Sequence, residues 1–146
     1  MQPFLEYFTL GAAGLFAGAA VYVSAVEHPA RLSLPAHHAV AEFRPSYRRG
    51  AVMQAGLAFL GGLGALAVGI ANGQSQWVVA GALLLSLIPY TLLAILKTNH
   101  RLMDKDELLS EGEAQTLLRR WGRLHAVRTA FGLSAFALLL GRTFLV

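Results

Sequence analysis

The chain has no cysteine, and only 14% of its 146 residues carry a charge. Without a thiol it can form no disulfide, zinc-thiolate site, iron–sulfur cluster or dithiol relay of the kind used by membrane disulfide-forming enzymes. Charge this scarce, with 55% hydrophobic residues and a mean hydropathy of +0.53, excludes an ordinary soluble domain. Acids are the rarer sign, 8 Asp and Glu against 12 Lys and Arg. The basic residues are not clustered into a nucleic-acid-binding module, so no nucleic acid partner is expected. Their placement is better explained by orientation in a bilayer. No repeat, low-complexity tract or linker interrupts the chain, and residues 1–146 are read as a single membrane domain.

What is present is long apolar runs. Residues 7–26, 50–72 and 77–96 are free of Asp, Glu, Lys and Arg, and 129–146 is broken only by Arg142. About 20 helical residues cross a hydrocarbon core of roughly 30 Å, so four spans are predicted, at about 5–27, 46–72, 77–98 and 125–146. Fold class follows: an all-α, integral membrane, four-helix up-down bundle. Segments 27–49 and 97–128 then emerge on one side and hold 11 of the 12 Lys and Arg, which makes that side cytoplasmic and puts both termini outside. No Lys or Arg precedes Arg31, so the first span lacks a signal-peptide n-region and is read as retained. A bacterial inner membrane is the expected location.

The basic segments predict helical extensions. Ser110-Glu-Gly-Glu113 has the spacing of a capping box, which starts a helix near Glu111 that continues into the fourth span; Asp104-Lys-Asp-Glu107 has the same spacing and marks a turn before it. Pro35 and Pro45 each suit a first helical turn, predicting a short helix near 36–43 and a second span beginning near Pro45. Pro89 should kink the third span, with Ser86 or a neighbour serving the carbonyl it frees. Gly14 and Gly18 in the first span, and Gly61, Ala65 and Gly69 in the second, are spaced for close helix packing.

No ionisable residue falls in the middle of a span, which counts against an ion-coupled transporter. All five histidines lie in the two basic segments, and His28, His100 and His125 sit near span ends. On a helical wheel His125, Arg128, Gly132 and Ala135 share a wedge with Trp121, while Arg119 and Arg123 face away. Tyr47 and Gln54 share a wedge with the small residues Ala58, Gly61 and Ala65. These placements predict a polar pocket at the basic mouth of the bundle, built from Glu27, His28, Arg44, Tyr47, Gln54, Asn99, His100, His125 and Arg128. Arg48, Arg49, Arg119, Arg120, Arg123, His37 and His38 read as anchors or solvated residues; the alternative to a pocket has Trp121 and Tyr47 in the interfacial aromatic belt.

Glu27-His28-Pro29, Phe43-Arg-Pro-Ser-Tyr-Arg-Arg-Gly50 followed by Gln54, Pro89-Tyr90-Thr91, Asn99 with Leu102, and Arg120-Trp-Gly-Arg-Leu-His-Ala-Val-Arg-Thr129 occur in this order. In that order, on four spans, they resemble the anthrone oxygenase-like membrane family, whose characterised fungal members oxidise polyketide anthrones to anthraquinones with dioxygen. The resemblance covers nearly the whole chain, and its most specific part is the last block together with Asn99. It implies a membrane-embedded oxidoreductase acting on a flat, apolar, anthrone- or polyphenol-like substrate taken from the bilayer.

The residues are compatible with such chemistry. Removing the acidic doubly benzylic proton of an anthrone gives an enolate that reacts with dioxygen and collapses through a hydroperoxide. His125 is the natural base, since an unperturbed imidazole has a pKa of about 6.5, with His28 and Glu27 as alternates. Arg128, Asn99 and Tyr47 are placed to hold an oxyanion, and Arg44 and Gln54 complete the candidate catalytic set. A metal alternative stays open, with His28, His100 and His125 as ligands to iron or copper, as does a haem between two histidines. So do a non-enzymatic accessory or lipid-organising bundle, and association into homo-oligomers.

Overall fold

The computed structural model describes residues 2–106 and 109–144, all helices and short turns. Helix α1 (Gln2–Tyr22) passes through a single π-turn at Val23–Glu27 into α2 (His28–Leu32). After a short turn come α3 (Ala36–Ala71) and α4 (Ser75–Tyr90). A second π-turn at Thr91–Ile95 leads into α5 (Leu96–Met103), and α6 (Glu111–Phe144) closes the bundle. Four of the resulting rods, Pro3–Leu32, Ala36–Ala71, Ser75–Met103 and Glu111–Gly141, are long and apolar enough to cross a bilayer. The protein is an all-α integral membrane bundle.

The helices form a ring in which α3 lies against α1 and α4, and α6 against the other sides of the same two. Lipid tails are as apolar as the helix faces, so association depends on close packing. Small residues supply it. A Cβ on Gly81 would sit 2.8 Å from the Gly62 carbonyl oxygen, and one on Gly61 would lie 3.5 Å from the Ala13 backbone. Gly14 packs under Phe136, as its spacing predicts. Gly18 does not: nothing lies within 4 Å of where its Cβ would be.

The α3–α4 corner is a Schellman turn. Gly73 adopts φ +64°, the Gln74 amide donates to the Gly69 carbonyl at 2.7 Å, and the Gly73 amide donates to Ile70 at 3.4 Å. The Ser110–Glu113 capping box forms as predicted: Ser110 N–H and Oγ–H donate to Glu113 Oε2 at 3.1 and 2.7 Å. From it α6 runs unbroken for 34 residues, about 51 Å. Of the Asp104–Glu107 turn, Glu107 lies outside the described residues, and the Asp106 amide donates to Asp104 Oδ1.

The prolines act differently from the sequence expectation. Pro45 does not start a helix; it lies inside α3, which is continuous from Ala36. Phe43, fully buried, stacks on Tyr47 across the proline at 5.3 Å, and this packing holds both sides in one helix. The carbonyl that Pro45 frees belongs to exposed Ala41. Pro29 and Pro89 each neighbour a π-turn, where His28 N–H donates to Val23 O and Leu96 N–H to Thr91 O. Ser86 caps the Leu83 carbonyl at 2.7 Å rather than the Leu85 carbonyl that Pro89 leaves free. Both π-turns lie at the basic end of the bundle, and they bring Ser24 and Thr91 to the centre of the site.

Candidate functional site

The floor of the site is α6, which presents Trp121, His125 and Arg128 on one inward face, as the helical wheel requires. Trp121 is not a belt residue at the membrane interface; it is 5% exposed and lies edge-on to Phe43 at 5.1 Å. Its Nε1–H donates to Asn99 Oδ1 at 3.0 Å, and Asn99 Nδ2 donates to the Tyr47 hydroxyl at 2.6 Å. One chain of bonds thus links α6, α5 and α3. The His125 ring stacks on Trp121 with centroids 4.8 Å apart.

The second π-turn and α3 hold Arg128. Its guanidinium donates to Thr91 Oγ1 at 2.5 Å and to Gln54 Oε1 at 3.3 Å, and lies 5.9 Å from the Phe16 ring. Thr91 in turn donates to the Leu87 carbonyl at 2.7 Å. Arg128 is only 9% exposed, its Nε has no hydrogen-bond partner, and among the described residues no carboxylate lies within ion-pair distance. A buried cation without a counterion is costly, and more so in a membrane.

The first π-turn holds His125. Ser24 Oγ lies 3.1 Å from His125 Nδ1 and 2.8 Å from Thr129 Oγ1, and Thr129 reaches the Ala20 and His125 carbonyls at 3.2 Å. A carbonyl can only accept. With the Thr129 proton on a carbonyl, Ser24 donates to Thr129 and His125 Nδ1–H donates to Ser24. In this tautomer Nε2 carries a free lone pair.

Beside this centre lies a self-contained charge cluster. Arg31, 3% exposed, bonds both Glu27 and Glu42, and lies 5.3 Å from the Phe43 ring. Ser46 donates to Glu27 as well. Both acids are therefore engaged by Arg31, not by Arg128. His28 packs on Trp121 at 5.2 Å with Nδ1 3.4 Å from Arg31, behind the wall rather than in it. That imidazole lies over Gly122, where a Cβ would collide with the ring. Gly122→Ala is therefore expected to lower stability by about 1–3 kcal/mol. Thermal unfolding in detergent measures this against Gly112→Ala, whose Cβ meets open space.

These groups meet in a cavity of about 1020 Å³ walled by α1, α3, α4 and α6. Of the residues expected to form a pocket, Glu27, Tyr47, Gln54, Asn99, His125 and Arg128 line it. Two do not. Arg44 turns outward, where Nε donates to the Leu102 carbonyl at 3.0 Å, and it lines a separate hollow with Arg48 and Lys105. His100 is exposed on α5, so His28, His100 and His125 do not form one ligand set; α5 turns His100 to the outside while burying Asn99. Among the described residues no three His, Asp or Glu side chains gather in metal-binding geometry.

Four partners were missed by sequence reasoning: Ser24, Arg31, Thr91 and Thr129. Two had a signal, since Arg31 is i+4 from Glu27 and Thr129 is i+4 from His125. Ser24 and Thr91 depend on the π-turns, which no regular wheel anticipates.

Residues 43–138, well over half of the chain, match the anthrone oxygenase family. The chain belongs to that family. No curated protein and no solved structure matches it. In this anthrone oxygenase family member the matched segment carries Tyr47, Gln54, Thr91, Asn99, His125, Arg128 and Thr129. The contribution of the first π-turn, Ser24 and Glu27, lies before it.

Proposed function

We propose that this anthrone oxygenase family member is a membrane-embedded oxidoreductase that oxidises a flat, apolar hydroxyaromatic of the anthrone type with dioxygen. The observation that carries the reading is the pairing of an uncompensated buried cation, Arg128, with His125 in the wall of a largely apolar cavity. Such a cation calls for an anionic partner, and an enolate is the anion the base would create.

The steps balance without another reagent. His125 Nε2 takes the benzylic proton, and the charge moves to the ring oxygen facing Arg128. The enolate gives its electrons to dioxygen, a C–O bond forms at the deprotonated carbon, and the peroxide takes up a proton from His125. Loss of water from the hydroperoxide leaves the quinone: anthrone plus dioxygen gives anthraquinone plus water. Apolar walls favour dioxygen and the substrate alike. Exposed apolar residues Tyr22, Met53, Ile88 and Leu92 are part of the lining, so the substrate enters from the hydrocarbon. The excess of basic residues at this end supports a cytoplasmic orientation for it.

The test is oxygen uptake by purified protein with a hydroxyanthrone, against the spontaneous rate. An uptake no faster than the buffer control overturns the reading. Ser24→Ala removes the hydroxyl that holds His125 Nδ1, and is expected to lower kcat about tenfold, the worth of one hydrogen bond. Ser24→Thr keeps the hydroxyl and most of the rate in the same assay.

A further inference from the structure

The cavity is far larger than the substrate head that its polar groups would hold. A tricyclic head of about 15 non-hydrogen atoms occupies roughly 250 Å³ at protein packing density, against a cavity of about 1020 Å³. The remaining space reaches deepest along α1. On the α6 side the lining extends no further from the basic end than Arg128, and on the α3 and α4 sides it ends at Ala58 and Leu87, about one turn beyond Gln54 and Thr91. Along α1 it continues to Gly14; because Gly61 packs against Ala13, Ala58 is level with about Phe16, and the α1 lining runs about 3 Å beyond it.

This arm has no Asp, Glu, Lys, Arg or His side chain. Its α1 wall is Gly14, Leu15, Gly18 and Ala19, and at Gly18 the space of a side chain is empty. Gly14, one turn deeper on the same wall, is filled by Phe136, whereas the exposed Gly18 has no neighbour within 4 Å of where a Cβ would be.

We propose that the substrate is an aromatic lipid: a hydroxylated polycyclic or quinol-like head that carries a hydrocarbon chain, with the chain lying along α1 between Val23 and Gly14. This rests on the reading of His125 and Arg128 as the centre that holds the head. The chain occupies the arm because the arm is continuous with that centre, apolar throughout and open to hydrocarbon at Leu15 and Tyr22. A chain passing from bilayer to arm gains little by transfer, so the arm selects by shape.

The experiment compares two coloured product analogues, a dihydroxyanthraquinone and the same ring bearing a ten-carbon alkyl chain, bound to full-length protein in nanodiscs. Wild type, Gly18→Leu, Ala19→Leu and Ala55→Leu are titrated, the last lining the cavity on α3 away from the arm. Partitioning into lipid is common to all four and cancels in the ratios. Gly18→Leu or Ala19→Leu is expected to weaken the alkylated ligand at least tenfold and the plain ring less than twofold, with Ala55→Leu leaving the ratio of the two unchanged. Equal effects on both ligands, or none, overturn the proposal. Oxygen uptake with the chainless hydroxyanthrone is read in parallel. Its absence in wild type overturns the catalytic reading, whereas the ratio of the two ligands reports on the arm alone.

Discussion

His125→Ala is expected to cut oxygen uptake with a hydroxyanthrone by about 10²- to 10⁴-fold, the range for removing a positioned general base. The loss should be chemical rather than structural. His125 stacks on Trp121, but Trp121 keeps Asn99 and Phe43, and Ser24 keeps Thr129, so no buried partner loses its last contact. Thermal unfolding should therefore shift little compared with Gly122→Ala. Added imidazole distinguishes a missing base from a distorted site: the vacated volume adjoins the cavity, and a small base entering it should restore part of the rate in His125→Ala. It should do nothing for Arg128 variants. Wild-type uptake in His125→Ala would falsify the assignment, and a lost rate that imidazole leaves unmoved would place His125 among positioning residues.

The sequence made the membrane class plain because that class depends on a gross quantity, the length of uncharged runs against bilayer thickness. It also reached into the site wherever a regular helix sufficed. His125 and Arg128 lie on one wedge of α6, and Tyr47 and Gln54 on one wedge of α3, because both helices keep their period through these residues. The reading failed where the period breaks or where a partner on another helix decides. Arg44 and His100 were grouped with the pocket by their nearness to span ends, which fixes depth but not azimuth. Pro45 looked like a helix start because proline suits one, yet the Phe43–Tyr47 stack carries α3 straight through it. The Ser24 contact to His125 follows from the shift in register at Val23–Glu27, and the Thr91 contact to Arg128 from the same kind of shift at Thr91–Ile95. Helical periodicity carries no sign of either.

Arg128→Met separates stability from function most sharply. Turnover should fall about 10²- to 10³-fold, the usual consequence of losing a donor to a developing oxyanion. Stability should move the other way. Arg128 is buried with no carboxylate partner among the described residues, and replacing a buried charge by an apolar side chain of similar length typically stabilises by roughly 1–3 kcal/mol. The opposing cost is small. Gln54 Oε1 loses a 3.3 Å donor, while Thr91 keeps its own bond to the Leu87 carbonyl. A higher unfolding temperature in an inactive protein is what a group retained for chemistry gives, since function then tolerates a charge that folding alone would reject. Unfolding temperature and oxygen uptake, measured on the same preparation of Arg128→Met, decide between the roles. A protein destabilised in proportion to its loss of activity would make Arg128 a strut between α3, α4 and α6. In that case the cation has its sufficient partners in Gln54 and Thr91, and the cavity beside it needs no anion.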